Sequence, residues 1–372
     1  MVVIGTRPEA VKMAPVILAL QRCRRELLPL VCVTGQHREL LDPVLRWFRI
    51  RSDHHLGLMR PDQTLAEFAG RALIHMDKLL REAQPDAVLV QGDTTTAMVA
   101  ALAAFYRSIP VGHVEAGLRT LDLASPFPEE MNRRVADVVA RFHFAPTATA
   151  ARALLQERAD PQSVFTVGNT VVDALRLTVG RLPKNRWCAA FRSKRIVLVT
   201  AHRRENFGRP LESICDAIAR LADHHKDCQF VYPLHLNPNA RSLAQRRLHG
   251  HARVHLCEPL RYQDFVRLLS RSELVLTDSG GVQEEAAVLG KTTLVLRDST
   301  ERTEAVEFGT ARVVGTTSEA IVQAATRELR RERVSDSELT LEGCPFGDGY
   351  AAERITKILV DALPAQAVQA VA

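Results

Sequence analysis

Short runs rich in β-branched residues, apolar from end to end, recur along this chain and alternate with amphipathic, helix-like stretches. In the first half they are VVIG (2–5), LVCVTG (30–35), AVLVQGD (87–93) and VGHVE (111–115). In the second they are RIVLVTAH (195–202), QFVYPLH (229–235), RVHLCE (253–258), LVLTDSGG (274–281) and TLVLRD (293–298). A strand that is apolar on both sides has no face for water, so it belongs in a parallel sheet covered by helices on both faces. The rhythm implies a doubly wound α/β fold, and it occurs twice. Between the two series VGRLPKNRWCAAFRSKR (179–195) breaks it with Pro, Asn and clustered charge, as an interdomain connection does. The boundary is expected near residue 172, giving domains over 1–172 and 173–352. An amphipathic helix from about 353 and an Ala-rich tail, PAQAVQAVA, end the sequence. At 372 residues and 46% hydrophobic content there is material for two cores.

Charge and composition exclude several classes. The net charge is +6, but of 49 basic residues 42 are arginines spread along the whole chain, and aromatics are only 5%. Without a basic run interleaved with stacking residues, nucleic acid is not the expected partner. Seven cysteines, odd in number and never spaced CxxC, suggest neither a disulfide framework nor a zinc site. No metal is therefore expected. The opening MVVIGTRPEA has no charged leader before an apolar core, and no apolar run approaches the roughly 18 residues that span a bilayer. The expectation is a cytoplasmic protein with no membrane partner.

Ligands of open α/β sheets bind beyond the carboxyl ends of the strands, and the polar clusters of this sequence sit there. GTRPEAVK follows the first strand where a dinucleotide fold would show GxGxxG; that fingerprint is absent, which weakens the case for bound NAD. Thr6 and Pro8 suit a helix start. Arg7 and Lys12 near that start would oppose the helix dipole unless an anion joins them, which points to phosphate. LTDSGGVQEEA (276–286) carries Ser279, Gly280 and Gly281 into another helix, where bare amides suit a phosphate. On this stretch alone ordinary capping by Ser279, with the glutamates complementing the dipole, remains equally open. A carboxylate beside a phosphate site can also read ribose hydroxyls, a role available to Glu285. Asp93 in GDTTT, Glu115 in HVEAGLRT and Glu129 with Glu130 in SPFPEEMNRR add acids at strand ends and a helix start. Gathered in one cleft at ~6 Å and an effective dielectric of ~20, each pair would cost about 2.8 kcal/mol, roughly two pKa units. One of them would then hold a proton near neutrality. Met76, Met98 and Met131 fall in helical patterns and read as core.

Taken together, these motifs resemble the non-hydrolysing UDP-N-acetylglucosamine 2-epimerases of bacteria. The matching segments are GTRPEAVKMAP (5–15), GQHREL (35–40), QGDTTT (91–96), VGHVEAGLRT (111–120), SPFPEEMNRR (125–134), GNTVVDAL (168–175), AHRRENFGRP (201–210), YPLHLNP (232–238), TDSGGVQEEA (277–286) and RDSTERTEAVEFGT (297–310), in family order over nearly the whole chain. The resemblance implies a glycosyltransferase-B-like fold: two Rossmann-like domains facing across a cleft, the C-terminal helix crossing back to the first. It implies a homodimer, no organic cofactor, and reversible conversion of UDP-N-acetylglucosamine to UDP-N-acetylmannosamine for cell-surface polysaccharide synthesis. UDP is eliminated to leave a 2-acetamidoglucal, then added back after protonation on the opposite face.

Carried over residue by residue, Asp93, Glu115 and Glu129 match the family's catalytic carboxylates and His202 the histidine that helps UDP depart. Arg7, Lys12, Ser279, Gly280, Gly281, Glu285 and Arg302 match its nucleotide contacts. Gln36, Arg203 and His235 match a site where some members bind a second UDP-N-acetylglucosamine as activator. The sequence departs from family patterns at Glu39, where some members carry glutamine, at Asp62, where some carry arginine, and at Thr303, where proline is common. A hydrolysing epimerase, a UDP-sugar glycosyltransferase on the same fold and a non-catalytic UDP-sugar sensor are the alternatives.

Overall fold

The computed structural model describes residues 1–35, 38–60, 62–182, 194–330 and 343–363, without the side chains of residues 38–40 and 204. Gln36, Cys188, most of the expected interdomain connection and the Ala-rich tail lie outside the described residues. Two compact units emerge. One is Met1–Ala174 together with the chain from Phe346, and the other is Leu175–Pro345.

In the first unit strands and helices alternate as β1 (Val2–Ile4), α1 (Arg7–Arg22), β2 (Val31–Val33), α2 (Arg38–Phe48), β3 (His54–His55), α3 (Leu65–Ala83), β4 (Val88–Gln91), α4 (Thr95–Tyr106), β5 (Val111–Val114), α5 (Glu129–Val139), β6 (Phe142–Ala145), α6 (Ala148–Gln156) and β7 (Val164–Thr166). Helix α7 (Thr170–Val179) leads into the second unit. That unit runs β8 (Arg195–Thr200), α8 (Arg209–His224), β9 (Cys228–Pro233), α9 (Pro238–Leu248), β10 (Val254–Cys257), α10 (Tyr262–Arg271), β11 (Leu274–Thr277), α11 (Gly280–Val288), β12 (Thr292–Val295), α12 (Thr303–Glu307), β13 (Ala311–Val313) and α13 (Ser318–Leu329). Helix α14 (Ala351–Ala362) closes the described chain.

Both sheets are parallel, in the orders β3-β2-β1-β4-β5-β6-β7 and β10-β9-β8-β11-β12-β13. The order reverses direction between β1 and β4 in the first and between β8 and β11 in the second. Loops leaving the strands part to opposite faces at those points, and the crevice they leave is where such sheets bind ligands. Every apolar run singled out in the sequence is a strand here. The reading missed β3, β6, β7 and β13, which are two to four residues long and lack a β-branched run.

The cores explain the pattern. In the second unit Val197 and Val199 of β8, Phe230 and Tyr232 of β9 and Leu274 and Leu276 of β11 bury against Ile214, Ile218 and Leu221 of α8. Each such side chain contributes about 1.5–3 kcal/mol. In the first unit Val88 and Val90 of β4 bury beneath Met76 and Leu80 of α3 and the alanines of α4. Packing of α4 is so close that a Cβ at Gly5 would lie 2.4 Å from Thr96 Oγ1, so only glycine fits after β1. Met131, read as core, is exposed instead, and Met98 is only half-buried. The C-terminal helix returns to the first unit. There α14 packs on α1, and its first amides, Ala351 N and Ala352 N, donate to the buried Asp173 carboxylate at 3.3 and 2.9 Å. An anion at a helix N-terminus satisfies both the orphan amides and the dipole.

Among the described residues no helix is long and apolar enough to cross a membrane. Nor does any group of three or more His, Cys, Asp and Glu among them suit a metal ion.

Candidate active site

Two polar clusters form, one at the carboxyl edge of each sheet. The first begins where β1 turns into α1. Pro8 fixes the first turn of the helix, and Glu9 reaches back so that its Oε2 accepts Gly5 N at 3.2 Å and Thr6 N at 2.6 Å. Its Oε1 accepts Thr94 Oγ1 at 2.9 Å, which ties this turn to the one after β4. Glu9 is buried, and burial pushes its carboxyl up to about 7 despite these donors. One turn further along α1, Lys12 is buried with Nζ 2.6 Å from Glu115 Oε1. Glu115 also accepts a hydrogen bond from Gln91 Nε2, and its backbone is held at φ +68°. A non-glycine residue in that region is costly, and such strain gathers at functional sites.

Asp93 follows β4 and is about one-third exposed at its side chain. Arg133 of α5 donates to its carboxylate, and Asn132 Nδ2 donates to its carbonyl at 2.9 Å. Arg133 spends its other nitrogen on the fully buried Glu130, at 2.9 Å. Glu129, beside it at the start of α5, is half-buried, and its carboxylate makes no hydrogen bond or ion pair with the described residues. The first cluster thus brings together Asp93, Glu115 and Lys12, and Arg7 stands at the first position of α1.

Of the three carboxylates whose repulsion would follow from sharing one cleft, two are paired with cations. Glu115 carries Lys12 and Asp93 carries Arg133, so each has a counter-charge in contact. Lys12, matched to the nucleotide contacts, is paired with a matched catalytic carboxylate. Sequence reasoning missed Arg133, Gln91 and Glu9. All three lie inside quoted motifs, but nothing in their spacing said which carboxylate or turn each would reach.

The second cluster surrounds the end of β8. Asp278, wholly buried after β11, accepts His202 N and Arg203 N, each at 2.8 Å, and Asn206 Nδ2 at 3.0 Å. Three donors on one oxygen shape the turn that presents His202. Burial lowers the pKa of that imidazole and so favours its neutral form, although Asp278 Oδ1 lies 3.9 Å from Nδ1. The His202 ring stacks on His235 with centroids 4.6 Å apart and planes 5° from parallel. Arg203 is half-buried beside them. Of the residues matched to an activator site, His235 therefore touches a residue matched to catalysis.

Helix α11 starts at the neighbouring strand end. Ser279 N donates to Thr277 Oγ1 at 3.0 Å, while the amides of Gly280 and Gly281 meet no acceptor among the described residues. A Cβ at Gly281 would meet nothing within 4 Å, whereas one at Gly280 would lie 3.3 Å from Glu301 Oε1 and 3.5 Å from the Arg302 guanidinium. The two glutamates of this helix differ. Glu284 is buried and accepts Arg302 Nε at 2.6 Å, whereas Glu285 keeps slight exposure at 8%. Glu301 lies 3.7 Å from Arg302 and 2.7 Å from Arg297. Burial opposes its charge, but the two guanidiniums outweigh that and hold its carboxyl at about 2.

The family model described as UDP-N-acetylglucosamine 2-epimerase matches residues 2–360. The UDP-N-acetylglucosamine 2-epimerase of Yersinia pestis is 49% identical over 366 residues, 96% of this chain and 97% of that one. Among solved structures, UDP-GlcNAc 2-epimerase from Neisseria meningitidis bound to UDP-GlcNAc superposes with a TM-score of 0.91 at 45% identity, over 97% of this chain and 99% of that one. The S. aureus MnaA–UDP complex gives 0.89 at 45% identity over 98% of each. The glycotransferase of kitacinnamycin, 13% identical with a TM-score of 0.67 over 98% of each chain, shares the fold alone. With two parallel Rossmann-like sheets, acids at the edge of one, open amides and a histidine at the edge of the other, and this extent of likeness, the chain belongs to the UDP-N-acetylglucosamine 2-epimerase family.

Proposed function

We propose that the chain interconverts UDP-N-acetylglucosamine and UDP-N-acetylmannosamine without hydrolysing either, supplying N-acetylmannosamine units for surface polysaccharide. The observation that carries this reading is the strained, buried Glu115 on Lys12, next to the turn that carries Asp93 on Arg133. A binding module has no need of such paired acids. The hydrogen on the inverted carbon is not acidic by itself. Breaking the bond from the anomeric carbon to the diphosphate oxygen gives the anomeric carbon cation character, which acidifies the hydrogen on the neighbouring carbon so that a carboxylate can take it as a proton. UDP departs with the electron pair, leaving a carbon–carbon double bond. A proton delivered to the opposite face and return of the UDP oxygen to the anomeric carbon complete the inversion. Two faces need two proton carriers. Asp93 is assigned as the base, with Glu115 and Glu129 on the return path.

The diphosphate charge is met by the Gly280 and Gly281 amides after Ser279, by Arg7 and Arg302, and by His202, while Glu285 reads the ribose. Solved relatives carry UDP-GlcNAc or UDP, which supports this division. Incubation with UDP-N-acetylglucosamine tests it. The expected product is UDP-N-acetylmannosamine with its nucleotide attached after exhaustive turnover. Accumulation of free UDP and N-acetylmannosamine would mean the hydrolysing reaction, and unchanged substrate would mean neither.

A second UDP-N-acetylglucosamine acts as activator at Arg203, His235 and Gln36, a reading supported by the stacking of His235 on His202. Strictly hyperbolic kinetics with UDP-N-acetylmannosamine alone would count against it. The chain also works as a homodimer. Helix α4 packs between α3 and α5, with its alanines in the core, yet its outer line Met98, Leu102, Phe105 is apolar as well. Exposed Ile74 of α3 and Met131 and Val138 of α5 stand on the same helical layer. A helix apolar all round calls for cover on both sides. Light scattering should give twice the chain mass, and Phe105→Glu should return it to one.

A further inference from the structure

One buried group stands outside every role given so far. His113, in the middle of β5, is 0% exposed. Its Nε2 lies 2.8 Å from the carbonyl of Gly92, and its Nδ1 lies 2.6 Å from Asp137 Oδ1. With Asp137 ionised, as its contact with Arg119 favours, both neighbours are acceptors. A neutral imidazole has one N–H and could serve only one of them, so the ring must carry both protons to make both bonds.

The places it joins are those that matter to the chemistry. Gly92 immediately precedes Asp93, and His113 lies two residues before Glu115. Asp137 belongs to α5, the helix that begins with Glu129 and carries Arg133 to Asp93. Its other oxygen accepts Arg119 Nη2 at 2.8 Å and Gly117 N at 3.3 Å, which fastens the turn after Glu115. All three matched carboxylates thus hang from elements that meet at the His113–Asp137 pair. We propose that His113 is a positioning residue for the epimerisation, an imidazolium that clamps the Gly92–Asp93 turn to α5 and so fixes Asp93 relative to Arg133. The inference rests on the epimerase reading for its rate effect but not for its charge state.

The surroundings agree. Burial disfavours the cation, but Asp137, the Gly92 carbonyl and Glu115 outweigh it and raise the imidazole above its ordinary value. Burial likewise opposes the Asp137 charge, and His113 with Arg119 outweighs it, holding that carboxyl low. The charged or titratable groups facing the pair are Arg119, Glu115 and, from β6, His143. The last is paired with His113 in register and turns Nε2 to the Asp137 carbonyl at 2.9 Å.

Two substitutions separate the two bonds. Asparagine places its amide nitrogen near the Nδ1 position and can keep Asp137 while losing Gly92; glutamine places it near Nε2 and can keep Gly92. A misplacement of about 1 Å costs on the order of 10²-fold in rate, so His113→Asn should lower kcat by that order with KM and UDP affinity within about threefold. His113→Gln should lie within about tenfold of wild type by the same reasoning. Wild-type kcat in a folded His113→Asn, or equal losses in both variants, would overturn the proposal. A far-ultraviolet dichroism spectrum and a cooperative thermal transition like those of the wild type show that a variant has folded. Should neither fold, 15N-histidine spectra of the unaltered chain decide. A doubly protonated imidazole persisting at about pH 7.5, about one unit above the ordinary histidine value, supports it, and its absence overturns it. A wild-type chain that makes no UDP-N-acetylmannosamine would sink the epimerase reading separately, whatever the spectra show.

Discussion

At the carboxyl edge of the first sheet, Lys12 is held on Glu115, Arg133 is shared between Asp93 and Glu130, and Arg119 lies on Asp137. At the edge of the second, the amides of Gly280 and Gly281 meet no acceptor among the described residues and the imidazole of His202 leans neutral, with the nearby guanidinium of Arg302 in contact with Glu284. The contrast fits the division of labour proposed above, with proton transfer at the first edge and the diphosphate at the second. Groups that pass a proton must sit in fixed positions before substrate arrives, and buried ion pairs with few alternative partners provide that. A diphosphate brings its own charge, so its cradle needs donors that are desolvated and unspent.

The sharpest way to break this comparison is Asp93→Asn. A lost proton carrier costs on the order of 10³-fold in kcat, while the second edge should keep UDP affinity within about threefold. Titration calorimetry with UDP beside steady-state rates checks both. If the two fall together, the division of labour is wrong.

Glu9→Gln tests whether the first edge accepts a cost for its rigidity. The Glu9 carboxyl is raised from 4.5 to about 7 in the folded chain. Between those values the folded chain keeps a proton that the unfolded chain has released, so stability falls as pH rises through the window and levels off above it. The span corresponds to up to about 3 kcal/mol. Urea unfolding from pH 4.5 to 8 should show that decline in the wild type, and Glu9→Gln should lack this part of it. Parallel profiles for the two chains would mean that Glu9 ionises normally.

The smallest effect belongs to the second edge. Gly281→Ala adds a methyl group that meets nothing in the protein and removes a helix glycine, so thermal stability should hold or rise by about 0.5–1 kcal/mol. UDP binding should nevertheless weaken about tenfold, because the methyl group stands where the phosphate approaches. Unchanged UDP affinity would move the diphosphate away from α11.

The sequence showed the strands of both sheet centres and the loops that follow them, because apolar runs and the polar residues after them are local signals. It hid the partners. Lys12 meets Glu115 from 103 residues away, and Arg133 meets Asp93 from 40. Reading the acids without those cations led to the expectation of carboxylates crowding one another. It likewise passed over His113, whose neighbours in VGHVE look like any strand, since its importance lies in Asp137 and Gly92 closing on it from both sides. The outward Met131 shows the same limit: helical spacing marks a methionine as apolar but does not say whether the core or a second chain covers it.

The central claim is that inversion proceeds by removing the hydrogen from the reacting carbon and replacing it from acids that exchange with water. Turnover of UDP-N-acetylglucosamine in D2O, followed by mass and proton spectra of both epimers, measures this directly. The account predicts one deuterium at the inverted carbon of the UDP-N-acetylmannosamine formed. Full retention of the original hydrogen during epimerisation would contradict it.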